Sequence, residues 1–144
     1  MRQLIPCGAA ALATLFGAGP ALAQSEAPPS LLCATSTVMQ CTTAGGCSEV
    51  RAAEVDVPAF MQVEFGDENT VSDPNGTDDD VSTIDLIHVV DDQIVLHGTD
   101  PGGPGGESGT AWTATISETT GELLVSTTSH GTAFLVFGTC LVDE

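Results

Sequence analysis

The chain has 144 residues, 20 of them acidic and only two basic, for a formal net charge of −18. Nucleic-acid binding needs cationic side chains to displace counterions from phosphate, and adhesion to anionic lipid headgroups needs them too, so this composition excludes the first and disfavours the second. Lysine is absent, which removes the central residue of Schiff-base and P-loop chemistry and leaves solubility in salt and attraction of cations as what the charge permits.

Arg2 precedes an apolar stretch from Leu4 to Phe16, Gly19-Pro20 breaks it, and Ala21-Leu22-Ala23 supplies small residues at the positions a signal peptidase reads. The pattern predicts a signal peptide over residues 1–23, cleaved after Ala23. The run is shorter than the roughly 20 apolar residues a membrane span needs, so the mature chain is expected to carry no span. A lipid anchor is not expected either, because Cys33 follows Leu32 and Cys7 lies within the apolar stretch. Residues 24–30 (Gln-Ser-Glu-Ala-Pro-Pro-Ser) read as a disordered leader. Residues 31–144 read as one β domain, the mature chain being about 120 residues, the size of an ordinary domain. It retains all the acidic residues and Arg51 as its one base, and its expected location is periplasmic or secreted.

Cys7 leaves with the signal peptide, and Cys33, Cys41, Cys47 and Cys140 remain. An even set in an oxidising compartment predicts two disulfides. Cys41 and Cys47 flank Thr42-Thr43-Ala44-Gly45-Gly46, a turn able to join two strand ends, which leaves Cys33 for Cys140. A four-cysteine zinc site fits less well, since Cys140 has no close partner in sequence.

From here the hydrophobic period is two rather than 3.6. Leu31 to Cys41 alternates, with Leu31, Cys33, Met39 and Cys41 assigned to one face, and Glu49 to Val57 is its expected partner strand, ended by Pro58. Ala59 to Phe65 predicts a half-buried strand, and Thr70 to Ser72 a short one. Asp73 to Asp80 is an acidic loop. Thr83 to Val90 and Gln93 to Thr99 form the clearest hairpin, joined by Asp91-Asp92. Asp100 to Gly109 is a glycine- and proline-rich loop. Ala111 to Ser117, Glu122 to Thr127 and Thr132 to Leu141 complete the set, with turns at Glu118 to Gly121 and Ser129 to Gly131. The predicted class is all-β: a single antiparallel meander forming a small sandwich or barrel, with two disulfides and the first strand tied to the last.

Cys33, the Cys41 to Cys47 turn, the Ile116 to Leu123 hairpin (Ile-Ser-Glu-Thr-Thr-Gly-Glu-Leu) and the closing Phe137-Gly138-Thr139-Cys140 together resemble small uncharacterised exported β-rich proteins of proteobacteria. The resemblance spans most of the mature chain and implies a periplasmic or secreted β domain. It implies no activity and carries no functional residue over.

Three groups of residues could bear chemistry. With Asp91-Asp92 as a two-residue loop, Val90 pairs with Gln93, His88 with Val95 and Leu86 with His97. His88 and His97 then lie diagonally on one face, about 7–8 Å apart at Cα, where a carboxylate could complete a Zn²⁺ or Cu²⁺ site. The commoner role of such residues is to fill half-polar strand positions, and His130 in its turn has no evident partner. Asp73, Asn75, Thr77, Asp78, Asp79 and Asp80 offer oxygen ligands of the kind Ca²⁺ takes. The spacing is not an EF-hand, because Gly76 comes two residues early, so only a loose site is compatible with it and a solvated turn is the preferred reading. Gly106-Glu107-Ser108-Gly109 falls short of a nucleophile elbow, since Thr110 stands where glycine is required. Trp112, the single tryptophan, alternates with Ala114 and Ile116 and reads as a core anchor, with sugar stacking as the sharper role. No catalytic or cofactor-binding residue is assigned. The reading that ranks first is an exported non-catalytic β module for an unspecified ligand or envelope protein. A divalent-cation binder (Ca²⁺ or Zn²⁺ at Asp73, Asn75, Asp78, Asp80 or at His88, His97) comes second, and a small hydrolase third.

Overall fold

The computed structural model describes residues 30–76, 81–100 and 109–142. Within them the chain forms β1 (Ser30–Thr42), β2 (Gly46–Val50), a 3-10 turn (Ala52–Glu54), β3 (Phe60–Glu64), β4 (Thr70–Ser72), β5 (Val81–Val90), β6 (Gln93–Asp100), β7 (Thr110–Ser117), β8 (Glu122–Ser129) and β9 (Thr132–Val142). Every pairing is antiparallel, and each strand from β3 to β9 lies beside its neighbour in sequence. β9 returns to β1, so the meander closes into an eight-stranded barrel. Closure removes the exposed edges that an open sheet would present.

β2 stands outside the cylinder. β1 gives one half of its edge to β3, from Ser30 to Ala34, and the other half to β2, from Val38 to Thr42. Between them the Thr35 amide donates to the Ala59 carbonyl (2.9 Å) and the Thr35 hydroxyl to the Pro58 carbonyl (2.8 Å). The partner strand expected at Glu49–Val57 is therefore shorter and earlier than its sequence implies. The Cys41–Cys47 register puts Val50 opposite Val38, and the β1 ladder is then interrupted by a bulge between Thr35 and Thr37. The chain leaves the sheet into the 3-10 turn and passes Asp56 at a φ of 53°. β1 also opens one residue before the expected domain start, because Ser30 pairs with Glu64.

The same bulge corrects the assignment of faces. Leu31 and Cys33 point into the barrel, and past the extra residue Val38 points inward while Met39 and Cys41 face out. A one-residue offset moves every later side chain to the opposite face. The inner face is built in layers read from the register. Val38, Val136, Val125, Ala114, Leu96 and Ile87 succeed one another across β1, β9, β8, β7, β6 and β5. Below them lie Leu123, Ile116 and Ile94, with Leu31, Cys33, Cys140, Val63 and Ile84 completing the core cluster. Among the described residues no polar or charged residue is fully buried. An outer-membrane barrel shows the reverse, a polar lumen inside an apolar wall.

Both expected disulfides are present. Cys33 and Cys140 form one inside the barrel, and Cys41 and Cys47 bridge the β1–β2 hairpin on the outside. Such bonds fit an oxidising environment rather than the cytosol.

Candidate functional site at the barrel mouth

The interior changes character toward the end where β8 turns into β9. One step beyond the aliphatic layer, Gln40, Phe134, Thr127, Trp112 and Gly98 stand in register across β1, β9, β8, β7 and β6. The rim beyond them is hydroxylic apart from Asp100, with Thr42 opposite Thr132, Thr132 opposite Ser129 and Asp100 opposite Thr110. The mouth thus grades from hydroxyls, through an amide and an aromatic row, to an apolar floor.

Trp112 is the centre of this row. It can lie against β6 because its cross-strand partner is Gly98. A Cβ there would sit 2.2 Å from Cζ2 of the indole and 2.4 Å from the Thr83 carbonyl oxygen. The ring packs against the buried core cluster. Its Nε1 is shut off from solvent and has no hydrogen-bond partner among the described residues. A buried donor left unmade costs about 1–3 kcal/mol, and native structures hold few of them.

Beside the mouth, the β8–β9 turn and the turn leading from β1 to β2 enclose an open hollow of about 450 Å³. Thr42, Thr43, Ser129, His130 and Thr132 line it. His130 and Gly131 form the tight turn, at φ 32° and 81°, which fits the primed turns that join twisted hairpins. His130 Nδ1 lies 3.5 Å from the Ser129 hydroxyl. Histidine, serine and threonine thus converge on one surface, and among the described residues no carboxylate lines it.

The residues singled out for metal are distributed differently. His88 and His97 share the outer face one diagonal step apart, with Leu86 opposite His97 and His88 opposite Val95. His88 is exposed, and His97 Nδ1 lies 2.9 Å from the Thr113 hydroxyl on β7. In the acidic loop the Asn75 amide donates to the Asp73 carboxylate (2.8 Å) and the Gly76 amide to the Asp73 carbonyl (3.0 Å), a self-contained turn. Asp78 and Asp80, with Thr77 and Asp79, lie outside the described residues, as do Gly106 and Ser108 of the glycine-rich loop. Among the described residues no group of three His, Cys, Asp or Glu side chains stands close enough to hold a metal ion. Arg51, the one basic residue described, pairs with Glu54 at the 3-10 turn, away from the mouth, and its guanidinium holds the Glu54 carboxyl below its ordinary value.

The inward alternation of Trp112, Ala114 and Ile116 is legible in the sequence as a core pattern. The sharing of one row at the mouth by Gln40 and Trp112 is not. Gly98, an isolated glycine inside a strand, is the signal that marks a close approach of another group.

The geometry is that of a small closed antiparallel β-barrel with a graded mouth. No protein-family model, curated protein or solved structure matches this chain.

Proposed function

We propose that this is an exported, non-catalytic binding module whose barrel mouth takes a small uncharged molecule with an acceptor oxygen and an apolar body. The observation that carries the reading is the unpartnered Trp112 Nε1, in register with Gln40 and Thr127 above a floor of Val38, Val125 and Ala114. An acceptor oxygen delivered to that N–H would remove its desolvation penalty, while the apolar body would rest on the aliphatic layer. Barrel mouths are a recurrent place for such sites. The acidic surface disfavours anionic ligands, and the mouth row carries no charge of its own. Export follows from the signal sequence read over residues 1–23 and fits the two disulfides. The resemblance to small exported β-rich proteobacterial proteins supports a periplasmic or secreted setting, where the partner is a small ligand or an envelope component.

The single tryptophan makes the test direct. Trp112 emission and melting temperature should be followed against a panel of neutral amides, lactones and sugars. A binder present at a hundred times its Kd should stabilise the fold by about 2.7 kcal/mol and shift the emission. A panel in which no member moves either signal removes the reading.

A further inference from the structure

β5 runs for ten residues, but β4 flanks it only from Val81 to Thr83. One further bond, from the Ile84 amide to the Asn69 carbonyl (2.9 Å), ties β5 to the turn between β3 and β4. Among the described residues nothing pairs with that side of β5 from Asp85 to Val90. Alternate residues of an antiparallel ladder direct both backbone groups to one side, so this stretch presents N–H and C=O groups that β6 does not take up. The core is uncovered at the same place. Val89 stands opposite Ile94 on the inner face, yet it is 36% exposed where Ile94 is 2%. Ile87 is likewise half-buried, whereas its partner Leu96 is fully buried. Each pair shares one level of the barrel, so the exposure comes from the missing flank and not from the barrel's end. The gap lies away from the mouth, whose row meets β6 at Gly98, opposite Ile84.

We infer that this gap receives an extended segment of another polypeptide, apolar at alternate positions and basic at its ends, which adds to β5 as a strand. Unpaired ladder groups select extended backbone, and Ile87 and Val89 select apolar side chains at every second residue. Sheet edges are ordinarily guarded by charge, proline or shortness. Leu86-Ile87-His88-Val89-Val90 holds no proline, lysine or carboxylate, whereas the outer edge of β2 is five residues long and carries Glu49. Carboxylates bracket the gap instead: Asp67 and Glu68 in the turn held by Asn69, Asp85 at the start of the free stretch, and Asp91-Asp92 past its end. They favour basic ends on the occupant and disfavour a second copy. An antiparallel pairing of two such edges, centred on His88, sets Asp85 of each copy against Asp91 of the other, and Arg51, the one described base, is already paired with Glu54.

The test is amide hydrogen exchange of the exported chain, alone and with a peptide of about nine residues in which valine alternates with threonine between terminal lysines. In the free chain, alternate amides from Leu86 to Val90 should exchange fast while those of β6 and β7 are protected, and the peptide should slow them. Fluorescence anisotropy should show its affinity falling as sodium chloride rises. The same peptide with terminal glutamates, or with every second amide N-methylated, should bind about tenfold more weakly or worse. Val89→Lys, which sets a cation on the edge, should abolish the protection, with circular dichroism checking that the barrel still forms. Protection of these amides in the free chain overturns the proposal, because a second copy or the chain's own residues then already cover the edge. So does binding indifferent to N-methylation, or protection that spreads over the acidic surface without reaching β5, since either is adsorption by charge and not strand addition.

Discussion

Cys33 and Cys140 face one another across the seam where the first and last barrel strands meet, with their Cα atoms 3.9 Å apart and both side chains buried. Cys41 and Cys47 are also direct cross-strand partners, at 4.0 Å, but they are only six residues apart in sequence and lie on the outside. The two bonds therefore constrain very different stretches of unfolded chain. The entropic model assigns about 5 kcal/mol to a closure of 107 residues and about 2 kcal/mol to one of six. Replacing Cys33 and Cys140 together by Ala should accordingly lower stability by several kcal/mol in urea titrations, and the Cys41/Cys47 pair by less than half as much. Equal losses would mean that the seam is held by its hydrogen-bond ladder and not by the crosslink.

Gly98 and Trp112 make a second dependence testable. An added methyl group at position 98 meets both the indole and the Thr83 carbonyl oxygen, and the latter belongs to the backbone and cannot rotate away. Gly98→Ala should cost about 1–3 kcal/mol, as overpacking does, and should shift Trp112 emission to the red as the ring is pushed outward. Combining it with Trp112→Phe should recover only part of the loss, since the Thr83 oxygen remains.

Legibility of the fold in the sequence depends on whether a local signal exists. Asp91-Asp92 between two alternating runs is enough to set the β5–β6 register, so Leu86 does pair with His97 and His88 with Val95. Glu118 to Gly121 marks the next hairpin in the same way, with Gly121 at φ 72° tucked against the Cys140 carbonyl. Thr35-Ser36-Thr37 carries no comparable mark, because a bulge at hydroxyl residues has no turn signature. Its consequence is large all the same: Met39 and Cys41 lie on the opposite face from Leu31 and Cys33. The mouth is hidden for a related reason. Thr127 meets Trp112 through the β7–β8 hairpin, but Gln40 is remote in sequence, and only closure of the barrel through β1 and β9 adds it to the row.

Arg51 and Glu54 yield a prediction on pH. The pair holds the Glu54 carboxyl below its ordinary value of 4.5, through the guanidinium bond first and the Arg51 amide second. A carboxyl with a depressed pKa in the folded state contributes stability that is present above the unfolded value and lost as pH falls through the folded one. Both side chains are open to solvent, so the contribution is small. NMR titration should place Glu54 below 4.5 and show it returning toward 4.5 in Arg51→Gln, with the melting temperature at neutral pH nearly unchanged. A large drop in melting temperature would show that the 3-10 turn depends on this pair more than an exposed ion pair allows.

Trp112→Phe separates the role of the indole N–H from that of the ring. Phenylalanine retains an aromatic body on Gly98 but removes the donor that is buried without a partner. Removing a polar group whose bond is unmade can be neutral or stabilising, because its desolvation cost disappears with it. The smaller ring works against this by leaving space beside Thr127 and Ala114. The net change in unfolding free energy should therefore stay within about 1–2 kcal/mol, well short of the roughly 3–5 kcal/mol typical of Trp→Ala. Any ligand recognised through Nε1 should nonetheless lose affinity by about tenfold or more, the worth of one hydrogen bond in a desolvated site. Stability and binding should thus come apart in this variant. If affinity for a ligand found in the panel survives while stability collapses, the tryptophan serves the core and the mouth recognises its ligand through the hydroxyl rim at Thr42, Ser129 and Thr132.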